Sequence, residues 1–132
     1  MNSFSGKITS IESSGNITLV TLEIDSIKVS SVVLASPITE NYLSVGNTIR
    51  FLFKETEVIL GKGNIDGISL QNKFKGNITS IQKGELLSNI EVSTSIGIVN
   101  SIITSNAVEQ LKLAENDEMI AMIKTNEIML QP

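Results

Sequence analysis

Apolar and polar positions alternate along several short stretches of this chain. Lys7 to Ile11, Ile17 to Ile24, Ile27 to Leu34, Thr48 to Phe53 and Glu57 to Leu60 are rich in Ile, Val, Thr and Phe, with Gly or Ser-Gly in the gaps. Such stretches predict half-buried strands. The pattern returns at Asn77 to Ile81, Leu86 to Thr94, Ile98 to Thr104, Met119 to Ile123 and Glu127 to Leu130. One segment breaks the period of two. In SNAVEQLKL, Ser105 to Leu113, Val108 and Leu111 stand at helical spacing, and Asn106 and Glu109 are placed like a capping box, which predicts a short helix. Its counterpart opens with Ser36-Pro37, a cap followed by proline at the first helical position.

The recurrence has a fixed offset. Shifting the chain by 70 positions superposes Phe4, Gly6, Ile8, Thr9, Ser10 and Ile11 on Phe74, Gly76, Ile78, Thr79, Ser80 and Ile81. The same shift brings Ser31-Val32-Val33 onto Ser101-Ile102-Ile103 and Lys54, Glu57, Val58 and Leu60 onto Lys124, Glu127, Ile128 and Leu130. Two tandem copies are the simplest account: a first module over residues 1–61, a glycine-rich linker over 62–67 and a second module over 68–132. The fold class predicted is all-β with short helices. Five strands and one helix in each copy suit a small, partly open OB-like barrel. Modules of this size bury little apolar surface alone and have edges that invite pairing, so packing against the twin copy and against other chains is expected.

Composition narrows the function. The 132 residues are 41% hydrophobic and carry 10 Lys+Arg against 14 Asp+Glu, a net charge of −4, without His, Cys or Trp. Four Phe and one Tyr are the only aromatic residues, and no basic cluster occurs, so phosphate neutralisation and base stacking are both poorly supplied and no nucleic-acid partner is expected. Without His or Cys, the commonest general base and the soft metal ligands are missing, and no paired carboxylates or activated nucleophile stands out. An enzyme is therefore not expected, nor a metal held by direct protein ligation. Apolar runs such as Ile17 to Leu22 and Val29 to Ala35 fall far short of a bilayer span, and the first residues lack a charged and then apolar leader pattern. The expectation is a cytoplasmic protein without membrane insertion.

The second copy supports a family name. Its segments ISLQNKFKGNITSIQKGELLSNIEV, NSIITSNAVEQLKL and AMIKTNEIML resemble the molybdenum-binding Mop, or TOBE, domain of the molbindins. Members of that family carry ISARN-x-(L/F)-x-G, a following Gly and E-V, an IT before a helix, and a closing IKA(S/T)-x-V-x-L. The resemblance covers residues 68 to 130 well and 4 to 60 more loosely. It implies a tandem molbindin built of OB-like barrels, associating as a homo-oligomer, a trimer of tandem chains, with molybdate or tungstate bound between modules and no covalent cofactor.

Carried over residue by residue, the family pattern places oxyanion donors at Ser69, Gln71, Asn72, Thr104, Ser105 and Lys124, with Lys54 as the lysine of the first copy. The chemistry agrees: a tetrahedral dianion offers only acceptors, so its site needs converging N–H and O–H groups and few cations. Gln71 stands where the family prefers Arg, which removes a charge and a fork-shaped donor. In the first copy Leu34 replaces Thr104 and Pro37 lacks an amide donor, so that copy is expected to be mainly structural or to contribute only part of a composite site. Plainer roles compete. Ser69 and Asn72 are common turn and cap residues, Thr104 can cap the helix, and Lys124 can guard a strand edge. The function implied is molybdate or tungstate binding for molybdenum storage or homeostasis. The alternative is an oligomerisation or regulatory module whose anion site has decayed.

Overall fold

The structure is a computed structural model describing residues 1–132. The first half forms four strands: β1 (Asn2–Ser14), β2 (Ile17–Ile24), β3 (Ile27–Val33) and β4 (Thr48–Phe53). A three-residue strand, β5 (Ile59–Gly61), leads into the linker. The second half repeats the set as β6 (Asn72–Lys83), β7 (Leu87–Thr94), β8 (Gly97–Thr104) and β9 (Glu118–Ile123), and ends in β10 (Met129–Gln131). A 3-10 turn precedes each short strand, at Glu55–Glu57 and Thr125–Glu127. All neighbouring strands are antiparallel.

Each half borrows a strand. The first sheet runs β10-β4-β1-β2-β3 and the second β5-β9-β6-β7-β8, so the short strand that follows each module completes the sheet of the other. Met129 pairs with Leu52 and Leu130 with Phe51, while Ile59 pairs with Met122 and Leu60 with Ala121. Register shifts between Ile8 and Ser10 and between Ile78 and Ser80 mark a bulge at equivalent points of β1 and β6. These bends curl each sheet on itself, giving the two OB-like modules that the strand pattern predicts. Both long strands begin well before the predicted Lys7 and Asn77.

The core follows the exchange. A cluster of 15 buried residues includes Ile8, Leu22, Phe51 and Phe53 from the first half and Phe74, Val99, Ile123 and Ile128 from the second. Phe4 stacks on Phe51 and Phe53 with ring centroids 5.6 and 5.9 Å apart. Its ring also lies against Gly97, whose φ of +123° and lack of a side chain allow that approach across the halves. A smaller cluster of six, including Ile78, Ile90, Val108 and Met119, belongs to the second half alone.

The helix differs from expectation in two respects. It spans Ser105–Gln110 (α1), shorter than the predicted Ser105 to Leu113, and Asn106 does not cap it; the cap is Thr104, the plainer role named for that residue, whose hydroxyl accepts from the Ala107 amide at 3.0 Å. In the first copy, Ser36-Pro37 opens only a single turn, closed by the Glu40 amide on the Ser36 carbonyl at 2.9 Å. Packing explains the difference. Val108 is buried at 6% exposure and anchors α1, while Ile38, its counterpart at the same offset, is 93% exposed and anchors nothing.

Because the larger core and both sheet edges are shared, the halves should melt together. Calorimetry is expected to show one transition whose calorimetric and van't Hoff enthalpies agree. Phe51→Ala should cost about 3–5 kcal/mol and shift that whole transition. Two separable transitions would contradict the shared core.

Candidate functional site

Residues 68–71 lead into β6 outside any strand, and Lys124 and Thr125 leave β9 into the 3-10 turn. These two arms of the second half meet a surface of the first half, and together they enclose a cleft of about 580 Å³. Its polar groups are Ser69, Gln71, Lys124 and Thr125; Leu19 of β2, Val32 of β3, Ile59, Ile68 and Leu70 supply the apolar walls. No intrachain hydrogen bond or ion pair engages the four polar side chains, and Ser69, Gln71 and Lys124 are exposed. An ammonium, two hydroxyls and a primary amide are thus free to donate.

Three of the seven residues singled out in the sequence, Ser69, Gln71 and Lys124, come together here. The other four do not line the cleft. Asn72 is 1% exposed. Its side-chain oxygen accepts from the Ser30 amide at 2.8 Å and its side-chain nitrogen donates to the Ser30 carbonyl at 2.8 Å, which commits it to joining the halves. Asn2 does the same with Asn100, at 2.8 and 2.9 Å. Ser105 is also buried, its hydroxyl donating to the Gly84 carbonyl at 2.6 Å and sharing a hydrogen bond with Ser88 at 2.7 Å. Thr104 caps α1. Lys54 occupies the first-half position equivalent to Lys124, ahead of Glu55 where the second half has Thr125.

Sequence reasoning missed Thr125 and the apolar wall. Thr125 follows the singled-out lysine and differs from its repeat partner Glu55, a signal visible in the alignment of the copies. Leu19, Val32 and Ile59 carried none, because their contribution depends on how the halves pack.

Electrostatics favours this cleft over the other depressions. One of about 450 Å³ is lined by both Lys75 and Glu118, so a carboxylate shares it with the cation. Another, of about 440 Å³, is lined by Lys83, whose ammonium lies 2.7 Å from Glu109 and holds that carboxyl below its usual range. Among the three, only the cleft at Lys124 is lined by a cation that makes no ion pair and by no carboxylate. Lys124, Ser69, Thr125 and Gln71 can all donate, so this set of side chains suits an acceptor-only guest held by hydrogen bonds.

Comparison with known proteins gives four likenesses. Residues 68–130 match the TOBE domain. Over 64 residues, 48% of this chain and 94% of the relative, the chain is 31% identical to molybdenum-pterin-binding protein 1 of Clostridium pasteurianum. Molybdenum-pterin-binding protein 3 of the same organism matches at the same 31% identity and coverage. Among solved structures, the cytoplasmic molybdate-binding protein ModG, in a crystal form with molybdate bound, superposes with a TM-score of 0.88 at 23% identity, covering 98% of this chain and 94% of that one. At that identity the likeness speaks to the fold, a shared pair of OB-like modules.

The cap assignment is open to direct test. Thr104→Ala is expected to lower stability by about 1 kcal/mol, read from urea unfolding. An unchanged midpoint would mean that the Thr104 hydroxyl does not hold the start of α1.

Proposed function

Because this chain belongs to the TOBE-domain family that includes the molybdenum-pterin-binding proteins, we propose that it is a cytoplasmic oxyanion-binding protein that holds molybdate or tungstate for storage or homeostasis. The observation that carries this reading is that Lys124, Ser69, Thr125 and Gln71 all line one cleft between the halves. A single cation among neutral donors suits a small dianion that must also be released, since each charge-assisted hydrogen bond is about twice as strong as a neutral one. The role is reversible binding by mass action, and the relatives are likewise named as binding proteins. No helix of the chain is long and apolar enough to cross a membrane.

The cleft is open on one side, and its surroundings are apolar. Of the residues lining it, Ile59 is 48% and Ile68 42% exposed. Association with copies of the same chain, as the trimer that the family resemblance implies, would cover this surface and enclose the anion. Thr104 and Lys54, outside the cleft in one chain, can reach an anion there only across such a boundary.

Isothermal titration with molybdate, tungstate and sulfate tests the function. Molybdate and tungstate are expected to bind, and Lys124→Gln should weaken both by about tenfold or more while the fold persists. Silence toward all three anions at millimolar concentration would overturn the reading and leave an oligomerisation module in its place.

A further inference from the structure

All the polar groups of the cleft come from the second half, yet consecutive residues of the first half hold both arms that carry them. On β3, the backbone N–H and C=O of Ser30 grip the amide of Asn72, the residue directly after Gln71, at 2.8 Å each. The next residue, Ser31, is fully buried and donates its hydroxyl to the Ile128 carbonyl at 2.9 Å. Ile128 closes the 3-10 turn that Lys124 opens. The residue after that, Val32, lines the cleft itself.

We infer that Ser31 and Asn72 are positioning residues for the anion site, with β3 of the first half setting the separation between the Ser69–Gln71 arm and the Lys124–Thr125 arm. This rests on the oxyanion-binding reading above. The physical reason is the softness of both arms. Residues 68–71 lie outside any strand, and Lys124 and Thr125 stand in a turn between β9 and the three-residue β10; the β6–β9 ladder holds the base of both arms through its last pair, Asn72 with Ile123, and stops one residue short of Gln71 and Lys124, so it does not fix the donors beyond that pair. Donors that must converge on one small guest lose affinity when their spacing drifts, because each contact then has to be ordered at the moment of binding. A first half that gives this cleft only apolar residues thereby has a function there, as the template for the donors of the second.

The competing explanation is simple adhesion between the halves, and the repeat provides its own control. Ser101 is equally buried and donates to the Val58 carbonyl at 2.9 Å, the same bond at the same offset, but it holds the 3-10 turn that follows Lys54, which adjoins the cleft only through the apolar Ile59 and carries none of its donors.

The experiment is a molybdate titration of the intact chain, Ser31→Ala, Ser101→Ala and Ser31→Cys, with thermal unfolding of each. Both alanine variants remove one buried hydrogen bond and should lose similar stability. Ser31→Ala is expected to weaken molybdate by about fivefold or more, whereas Ser101→Ala stays within about twofold of the parent. Ser31→Cys, which keeps a weak donor, should fall between parent and Ser31→Ala, and it carries the comparison if the alanine variant does not fold. Equal effects on affinity from positions 31 and 101, or none from either position 31 variant, would overturn the positioning role. Failure of the unaltered chain to take up molybdate would instead remove the functional reading, and this inference with it.

Discussion

Neither half of this chain can finish its own sheet. The strand that closes the first module lies at the end of the second, and the strand that closes the second lies at the end of the first. Small barrels face exposed edges and too little apolar area, and the exchange answers both: each borrowed strand covers an edge, and the residues beside it join a core common to the two modules. Buried polar groups then fix the relative placement of the halves. The Asn2 and Asn72 amides each satisfy both backbone groups of a residue in the opposite half, and Ser31 and Ser101 each anchor an opposite turn. No buried side-chain polar atom is left without a partner, so this seam joins the halves without the cost of unmet hydrogen bonds.

The cleft is a product of that seam. Its donors lie on two segments of the second half and its back wall on β2 and β3 of the first, so it exists only while the halves keep their register. On the proposed reading, a net charge of −4 does not bar a dianion from this cleft, because local composition decides the matter. Of the lysines lining the three depressions, Lys75 shares its depression with Glu118 and Lys83 is paired with Glu109, and only Lys124 reaches its cleft without a carboxylate beside it. In the first copy, Glu55 follows Lys54 where Thr125 follows Lys124, which places a negative charge where the second copy has a neutral donor. The two copies thus share a scaffold and differ in the groups they offer to an anion.

Much of the fold was legible because the chain states it twice. The offset of 70 marked the paired strands, and the Ile and Val alternation marked their faces. What could not be read depended on partners distant in sequence. Strands β5 and β10 are three residues long, too short for any pattern to declare which sheet they join. Asn72 looked like a donor because its side chain can be one, and its actual partner stands 42 residues earlier. Asn106 and Glu109 satisfied the spacing of a capping box, but Thr104, two residues before Asn106, meets the Ala107 amide first. Ile38 has the hydrophobicity of Val108 and not its burial, so the first-copy helix shrank to a turn. For the site, Ser69, Gln71 and Lys124 were recoverable from residue type and family pattern, whereas the Leu19 and Val32 wall required the packed halves.

The most direct measurement is a crystal grown with molybdate and recorded with anomalous scattering from molybdenum. The account predicts a peak in the cleft between the halves, within hydrogen-bonding reach of the Lys124 ammonium and of the Ser69 and Thr125 hydroxyls. A peak elsewhere on the chain at saturating molybdate, with this cleft empty, would contradict it.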